Sequence, residues 1–433
     1  MQRLKENQAL SADEFQGLMA PYEKTIAGEK TAVAVSGGPD STALAALLKN
    51  WCEQKKYAAP LALIIDHGLR ENSREEAALT QDRLKQIGLP AEILRWQHEP
   101  ISSSLHAEAR KARYDLLTEA CKQHGILNLF LAHQREDQAE TVLMRLAKGT
   151  GIDGLAGMAA MSELDGVKIL RPLLPLPKER LIATCEAARL DYVKDPSNEL
   201  DKFARGRLRR VMPLLAEEGL TVDRLVDFAA RAGEAKQALD FYTAEFFEKH
   251  GRRDEWGLIA IDKAPLLSLP RAIALRALGD ALLAMNTEPY PPQHASLSLV
   301  LNELEKPGEF ASRTLNGCFI SESGGEIKII REIAAITETS ELAAGGQIIW
   351  DGRWELTATH ALGSGIYHVK PVGNPPHELL DRLSPGLRHK VPQGKLRATL
   401  PSLWIKDEIS LIPFFDPEDR IKVRFVQRTA KKL

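Results

Sequence analysis

The sequence predicts an α/β fold: a doubly wound parallel sheet with a helical linker and smaller α+β domains towards the C-terminus. Three observations carry this. From about residue 24 to Leu215, short apolar runs of strand length alternate with longer helical patterns, as repeated strand–helix crossovers require. The short runs are apolar throughout, which suits strands covered on both faces. The first of them, Thr31–Val35, enters a Ser/Gly/Asp turn, Ser36-Gly-Gly-Pro-Asp-Ser41, that opens into a helix.

Taken in order, residues 1–24 read as a polar amphipathic lead-in. Strands are predicted at Thr31–Val35, Leu61–Ile65, Ala91–Leu94, Ile126–Ala132 and Val167–Leu170. Helical patterns lie between them, including Thr42–Lys55, Ser73–Ile87, Leu105–His124 and Glu136–Lys148. Ligands of such sheets bind beyond the carboxyl ends of the strands. Ser36, Asp66 and His133 each follow a strand run, so all three are expected on one rim. After Pro213-Leu-Leu the character changes. Leu220–Phe247 is a long helical pattern rich in alanine and charge, and Arg271–Met285 is another, broken by Tyr290-Pro-Pro-Gln. Short strands are expected over 309–332, split by Asn316-Gly and Gly324-Gly, which are hairpin-turn signals. Ala343-Ala-Gly-Gly precedes a last region with strand patterns at Trp354–Thr359 and Leu403–Phe415 around a short helix near Leu379–Leu383. The expected domains are 1–217, 218–342 and 343–433.

Composition narrows the class. With 433 residues the chain is too long for one core, and 44% hydrophobic with 27% charged residues suits a globular protein. No apolar run approaches the ~18 residues of a membrane span, and Met1-Gln-Arg-Leu lacks a signal-peptide pattern, so a cytoplasmic protein without membrane contact is expected. Cys52, Cys121, Cys185 and Cys318 stand far apart with no Cys-x-x-Cys pair. That spacing argues against a zinc site, an iron–sulfur cluster or a disulfide framework. A net charge of −2 means that any nucleic-acid contact must use local basic surfaces.

The turn at Ser36–Ser41 is built for an anion. Gly37 and Gly38 leave room for backbone N–H groups to approach it, and Ser41 and Thr42 can cap the following helix. Gly-Lys-Ser/Thr is missing, so this is not a Walker loop. The loop fits chemistry in which pyrophosphate leaves and the target is activated by AMP. Further along, His133 ends a strand while Asp137, Glu140 and Thr141 follow at helical spacing. Asp137 and Thr141 are one turn apart, so a carboxylate and a hydroxyl can point together at the rim, to hold Mg²⁺ or take a proton. Capping residues in contact with solvent would read the same way. Asp66 and Arg70, around a turn at Gly68, can bind ribose, base or phosphate. His106, Arg110 and Arg113 form a basic stripe, with Glu108 and Tyr114 beside it; it suits an RNA backbone or a merely solvated face. Lys148–Met158, with four glycines, is expected to be a mobile loop. Asp195-Pro-Ser-Asn198 is a turn, and Arg205 and Arg209 beyond it fall one helical turn apart.

The loop Ser36–Ser41 resembles the PP-loop of the N-type ATP pyrophosphatases. In order along nearly the whole chain, further segments resemble the bacterial tRNA(Ile)-lysidine synthetases. These are Asp66-His-Gly-Leu-Arg70, Glu108-Ala-Arg-Lys-Ala-Arg-Tyr114, His133–Thr141, Gly149–Met158, Arg171-Pro-Leu-Leu174, Asp195–Asn198, Arg205–Pro213 and Arg397-Ala-Thr-Leu-Pro-Ser-Leu403. Two positions depart from the family pattern, Gly206 in place of asparagine and Lys148 in place of arginine. The resemblance implies a ligase that uses ATP to adenylate the C2 carbonyl oxygen of the wobble cytidine in the CAU anticodon of tRNA(Ile). Free L-lysine then displaces AMP to give lysidine, and the codon read changes from Met to Ile. It implies ATP contacts at Ser36, Gly37, Gly38, Pro39, Asp40, Ser41, Thr42, Asp66 and His67, and catalytic roles for Asp40, His133 and Asp137. It implies Mg²⁺ at Asp40 and Asp137, and tRNA or substrate contacts at Arg70, Glu108, Arg110, Arg113, Glu140, Arg205 and Arg209. The basic run Arg420–Lys432 is either a further tRNA contact or a charged tail. A tRNA thiolase, the nearest rival, would need a persulfide cysteine or a cluster; a glutamine-fed synthetase would need an amidotransferase domain.

Overall fold

The computed structural model describes residues 7–69, 72–98, 105–193, 204–286, 291–375, 378–380, 392, 394–416 and 418–426. The chain divides into two compact units, Met1–Lys236 and Gln237–Leu433.

The first unit opens with α1 (Ala12–Met19), so the predicted lead-in is a helix. Ser11 Oγ accepts the Glu14 N–H at 3.2 Å and the Glu14 carboxylate accepts the Ser11 N–H at 3.0 Å, a reciprocal cap. The same carboxylate takes a hydrogen bond from Arg180 Nη2 at 2.8 Å. A short α2 (Glu23–Ile26) leads to β1 (Thr31–Val35) and α3 (Pro39–Lys55). Then come β2 (Leu61–Asp66), α4 (Ser73–Gln86), β3 (Ala91–Arg95), α5 (Leu105–Gln123), β4 (Asn128–Phe130), α6 (Arg135–Ala147) and α7 (Ile152–Leu155). They are followed by β5 (Met161–Leu164), β6 (Val167–Leu170), α8 (Lys178–Ala187), α9 (Ala204–Glu217) and α10 (Val222–His250). The boundary between the units falls within α10.

Among the described residues the strands form one sheet in the order β3-β2-β1-β4-β6-β5. All neighbours are parallel except β5, which runs antiparallel to β6. The hairpin β5–β6 was not expected. Its outer strand is largely exposed and carries no apolar run, while Asp165 and Gly166 make the turn with positive φ. Side chains of β1 alternate between two cores. Val33 and Val35 pack with Phe15, Leu44, Leu48 and Trp51 on one face; Ala32 and Ala34 pack with Leu117, Leu129 and Ile169 on the other. Both faces being covered explains why the strand runs are apolar throughout.

The second unit holds β7 (Gly251–Arg253), β8 (Ile259–Asp262), α11 (Lys263–Ser268), α12 (Arg271–Met285), α13 (His294–Leu304), β9 (Arg313–Leu315), β10 (Cys318–Ser323) and β11 (Glu326–Arg331). Their antiparallel sheet, β7-β8-β11-β10-β9, packs on α12 and α13. Asn316-Gly317 and Gly324-Gly325 form its hairpin turns, all four with positive φ. The remainder comprises β12 (Ser340–Ala343), β13 (Gln347–Trp350), β14 (Trp354–Ala358), β15 (Ile366–Pro371), β16 (Pro401–Ile405), β17 (Glu408–Leu411) and β18 (Ile421–Phe425). They form sheets β12-β15-β16-β17 and β13-β14-β18 around Trp350, Trp354, Leu356 and Leu403. Most of the helix expected near Leu379–Leu383, and the tail beyond Val426, lie outside the described residues.

Candidate active site

The loop after β1 departs from its simplest sequence reading. The helix begins at Pro39, not at Thr42, with Gly38 as its cap residue and no side-chain cap. Proline suits this first position because its φ is already helical and it has no N–H to leave unpaired. Ser41 therefore lies inside the first turn, where its hydroxyl donates to the Gly38 carbonyl and accepts the Ser36 N–H, both at 3.1 Å. Ser36 Oγ lies 3.2 Å from Ser41 Oγ. The two serines thus brace the loop from within, and the helix N-terminus keeps its outward N–H groups for a ligand. Gly37 has φ +82°, and a Cβ there would lie 2.5 Å from Thr80 Oγ1. Its carbonyl accepts the Val193 N–H at 2.8 Å. Asp40, in the first turn, has a buried Oδ1 with no hydrogen-bond partner. Burial raises its carboxyl to about 7; Lys178 opposes the rise, while Asp137 and Glu136 add to it.

The second helix N-terminus of the rim belongs to α6. Gln134 caps it, its Oε1 accepting the N–H groups of Glu136 and Asp137 at 2.5 and 3.2 Å, and Asp137 Oδ2 accepts the Gln134 N–H at 3.2 Å. One carboxylate oxygen of Asp137 is thus tied to the backbone. Thr141 does not join it at the rim: its hydroxyl donates to the Asp137 main-chain carbonyl at 2.7 Å, the usual back-bond of a helical threonine. Glu140 is 3% exposed and takes a 2.5 Å hydrogen bond from Arg209 Nε, with Arg205 Nε at 3.9 Å. His133 is half-buried and its Nδ1 has no partner. Burial, and then Arg171, Arg113, Arg205 and Arg110, push the imidazole down to about 2. Without a ligand it is held neutral near pH 7, and a neutral imidazole meets a phosphate through an N–H.

Arginines close the basin. Arg113 is half-buried, and Arg110 lies with its guanidinium 5.1 Å from the centre of the Tyr114 ring. The charges of Arg110, Arg205 and Asp137 act on Arg113, and those of Glu140, Asp137 and Asp40 on Arg209. Asp40, His133, Asp137, Glu140, Arg110, Arg113, Arg205 and Arg209, expected from separate segments, therefore share one neighbourhood. Three further residues belong to it. Arg171 directly follows β6, is 8% exposed, and donates through Nη1 to the Ala159 carbonyl and to Ser162 Oγ at 3.0 and 2.9 Å. The rule that marked Ser36, a residue just past a parallel strand, would have found it. Glu136 accepts the Lys178 N–H at 3.0 Å. Lys178 carries no comparable signal in the sequence.

Other expected residues are bound within their own segments or lie on the surface. Asp66 Oδ1 is committed to its own turn, accepting the Ser73 hydroxyl at 2.6 Å and the Gly68 N–H at 3.2 Å. The carbonyl of His67 lies 3.2 Å from His98 Nε2. Glu108 is exposed on α5. Arg70 and Asp195–Asn198 lie outside the described residues, as does the side chain of His106. The glycine-rich stretch Lys148–Met158 is not the free loop expected. It contains α7, and Arg145 Nη1 donates to the carbonyls of Gly154 and Gly157 at 3.0 and 2.6 Å. The Gln138 amide holds both main-chain groups of Met158. In the C-terminal basic run, Arg420 is bound to Asp416 and Arg424 to Glu355, while Lys422 and Arg424 are both exposed on β18.

A Mg²⁺ ion with ATP fits the residues present. The Asp40 Oδ1 is a buried carboxyl oxygen with no hydrogen-bond partner, and one or two carboxylates with substrate phosphates are what this ion ordinarily takes. All four cysteines are buried, and burial raises Cys52 to about 11 and Cys121, Cys185 and Cys318 to about 12. No helix among the described residues is long and apolar enough to cross a membrane.

A PP-loop domain model matches residues 9–215. A tRNA(Ile)-lysidine synthase of Wolbachia sp. subsp. Brugia malayi is 36% identical over 79% of this chain and 80% of its own length. The chain belongs to the tRNA(Ile)-lysidine synthase family. Similar relatives of the same name occur in Methylobacterium sp., 42% identical over 69% of this chain and 88% of that protein, and in Bradyrhizobium diazoefficiens, 36% identical over 75% and 95%. Membership makes it an ATP-using ligase with a PP-loop domain, and its α/β fold is the one expected from the strand–helix alternation.

Proposed function

We propose that this enzyme joins L-lysine to C2 of the wobble cytidine in the CAU anticodon of tRNA(Ile), through an adenylated cytidine. The observation that carries the reading is the pairing of two helix N-termini at one rim, α3 with the open Asp40 oxygen and α6 with Asp137, under a roof of arginines. The first supplies an anion cradle for the phosphates, the second a carboxylate for an amine, and the arginines meet an RNA loop whose bases are splayed out.

In the first step cytidine O2 attacks the α-phosphorus and pyrophosphate departs. Backbone N–H groups of the Ser36–Ser41 loop and the start of α3 bind the departing group, with Ser36, Ser41 and Thr42 shaping the loop. Asp40 and Asp137 would hold Mg²⁺, which when bound offsets the phosphates' negative charge. His133, being neutral, donates an N–H to a phosphate oxygen. In the second step Asp137 takes a proton from the incoming lysine ammonium, because only the free amine is a nucleophile. The amine adds at C2 and AMP leaves. Arg110, Arg113, Arg205 and Arg209, with Arg70 and Glu108, contact the anticodon loop. Segments 218–342 and 343–433 hold the rest of the tRNA, and the reaction takes place in the cytoplasm.

The cysteines favour an amine over sulfur as the second nucleophile. A thiol raised to about 11 or 12 inside the core is neither accessible nor ionised, so a persulfide relay has no candidate. The test is incubation with ATP, lysine and a CAU-anticodon tRNA, following pyrophosphate and modified cytidine together. Both products are expected, and both should fall by about 100-fold or more in Asp137→Ala. Pyrophosphate release without lysine-dependent modification would refute the reading.

A further inference from the structure

A cavity of about 490 Å³ opens beside the turn between β16 and β17 in the second unit, within the size range of small-molecule pockets. Its walls include Pro371, Leu379, Trp404 and Ile409, and among the described residues its charged lining is Asp407 and Glu408, both acidic. The Trp404 ring is fixed from its polar edge. Its indole N–H donates to Ser402 Oγ at 2.9 Å, and that hydroxyl donates to the Lys370 carbonyl on the neighbouring strand, also at 2.9 Å. The Lys370 ammonium lies 5.3 Å from the centre of the indole ring. Asp407 and Glu408 are exposed, and neither side chain takes a hydrogen bond or an ion pair from a described residue. One hollow thus joins an apolar wall with a fixed aromatic ring, two negative charges on its lining, and an ammonium just beyond the ring.

We propose that this cavity binds a free basic amino acid, with L-lysine the best-fitting member, on residues other than those of the rim. Asp407 and Glu408 receive the side-chain ammonium, and the aliphatic stem lies along Leu379, Ile409 and the Trp404 ring, where it is withdrawn from water. The α-carboxylate turns to Lys370. Each part of the ligand therefore has its complement, and each can be removed singly. L-Norleucine keeps the stem and the carboxylate but lacks the ammonium; cadaverine keeps the stem and the ammonium but lacks the carboxylate. An RNA phosphate is the poorer occupant, because both charges on the lining repel it. Binding here involves no chemistry and requires neither ATP nor tRNA, so the inference stands apart from the functional reading above.

The test is calorimetry of the full chain with L-lysine, in the absence of ATP and tRNA. Binding is expected, with L-norleucine about tenfold weaker and cadaverine about threefold weaker. In the double variant Asp407→Asn, Glu408→Gln the affinity for L-lysine should fall about tenfold, and Trp404→Ala should lower it by a similar factor. The KM for lysine in tRNA modification should stay within about twofold of wild type in both variants, because the rim shares no residue with the cavity. The proposal is overturned if L-norleucine binds as tightly as L-lysine, or if the carboxylate variant changes lysine affinity less than about twofold. It is equally overturned if a single-stranded RNA hexamer, and not lysine, is what Trp404→Ala ceases to bind. Should Trp404→Ala fail to fold, the carboxylate variant, changed only at exposed positions, decides the matter alone. Failure of the wild-type enzyme to act on the CAU tRNA would refute the functional reading; the lysine affinity of the cavity would still be read by calorimetry.

Discussion

Two groups of buried charge, one in each unit, are built in opposite ways. In the second unit Asp351 sits between two arginines. Arg353 Nε donates to its Oδ2 at 2.7 Å, while Arg331 donates from Nε and Nη2 to its two oxygens at 3.2 Å. Arg331 also reaches the carbonyls of Gly317 and Ala335, and the Asp351 N–H is taken by Glu338. All three residues are 5% exposed or less. At the rim of the first unit, by contrast, Asp40 Oδ1 and His133 Nδ1 are buried with no partner. Closed networks hold a fold together, whereas open ones leave bonds for a substrate to complete. Single buried atoms without a hydrogen-bond partner also occur elsewhere, Arg353 Nη2 and Asn316 Nδ2 among them, so what marks the rim is that its open atoms stand among the motif residues.

The largest expected effect tests the closed network. Asp351→Asn keeps the shape and tolerates the positive φ of this turn, but leaves two guanidinium groups buried without a carboxylate. Removing one partner of such a group costs about 3–5 kcal/mol. Scanning calorimetry should show a fall of roughly 10 °C in the melting of the second unit. A fall of less than about 2 °C would erase the contrast between the two regions.

The PP-loop provides a sharper, smaller test within the rim. Gly37→Ala must hold φ +82° with its Cβ 2.5 Å from Thr80 Oγ1 and 3.3 Å from Val193 Cγ2. The left-handed conformation alone costs about 1–2 kcal/mol, and displacement of the loop should lower kcat/KM for ATP about 100-fold. Gly38 has φ −73°, and a Cβ there would meet nothing closer than 3.7 Å, so Gly38→Ala should lose less than about tenfold. Equal losses in the two variants would mean that the loop's geometry does not depend on Gly37.

The order of strands and helices was legible because it rests on local patterns, and so was the rim, since strand ends fix which residues face it. Arg171 obeys the same rule as Ser36. What the sequence concealed was partnership. Helical spacing aligned Thr141 with Asp137 but could not show that the hydroxyl turns back to a carbonyl. Arginine density suggested phosphate contact, whereas Arg209 is held by Glu140, 69 residues away in sequence. Glycine content at Lys148–Met158 suggested mobility, yet Gly157 has φ +67° and a Cβ there would lie 2.8 Å from the Gln138 amide. Close packing and flexibility call for the same residue, and only the neighbours distinguish them.

Asp40→Asn makes the same chemical change as Asp351→Asn and should have the opposite sign. The Asp40 carboxyl is raised from 3.8 to about 7, first by burial and then by Asp137 and Glu136 against the pull of Lys178. Such a group binds its proton more tightly in the folded chain. Its contribution to stability is therefore complete below pH 3.8 and is lost as pH rises through about 7. At pH 8 the wild-type chain, without ATP or Mg²⁺, carries a charge that its fold disfavours, and the asparagine variant does not. The variant should then melt about 2–4 °C higher, with the advantage shrinking as the pH is lowered towards 5. Its pyrophosphate release should be lost, because an amide cannot replace the open carboxylate oxygen. A variant that melts at or below the wild-type temperature at pH 8 would mean that Asp40 already has its partner in the fold. The rim would then be a closed network like that of Asp351.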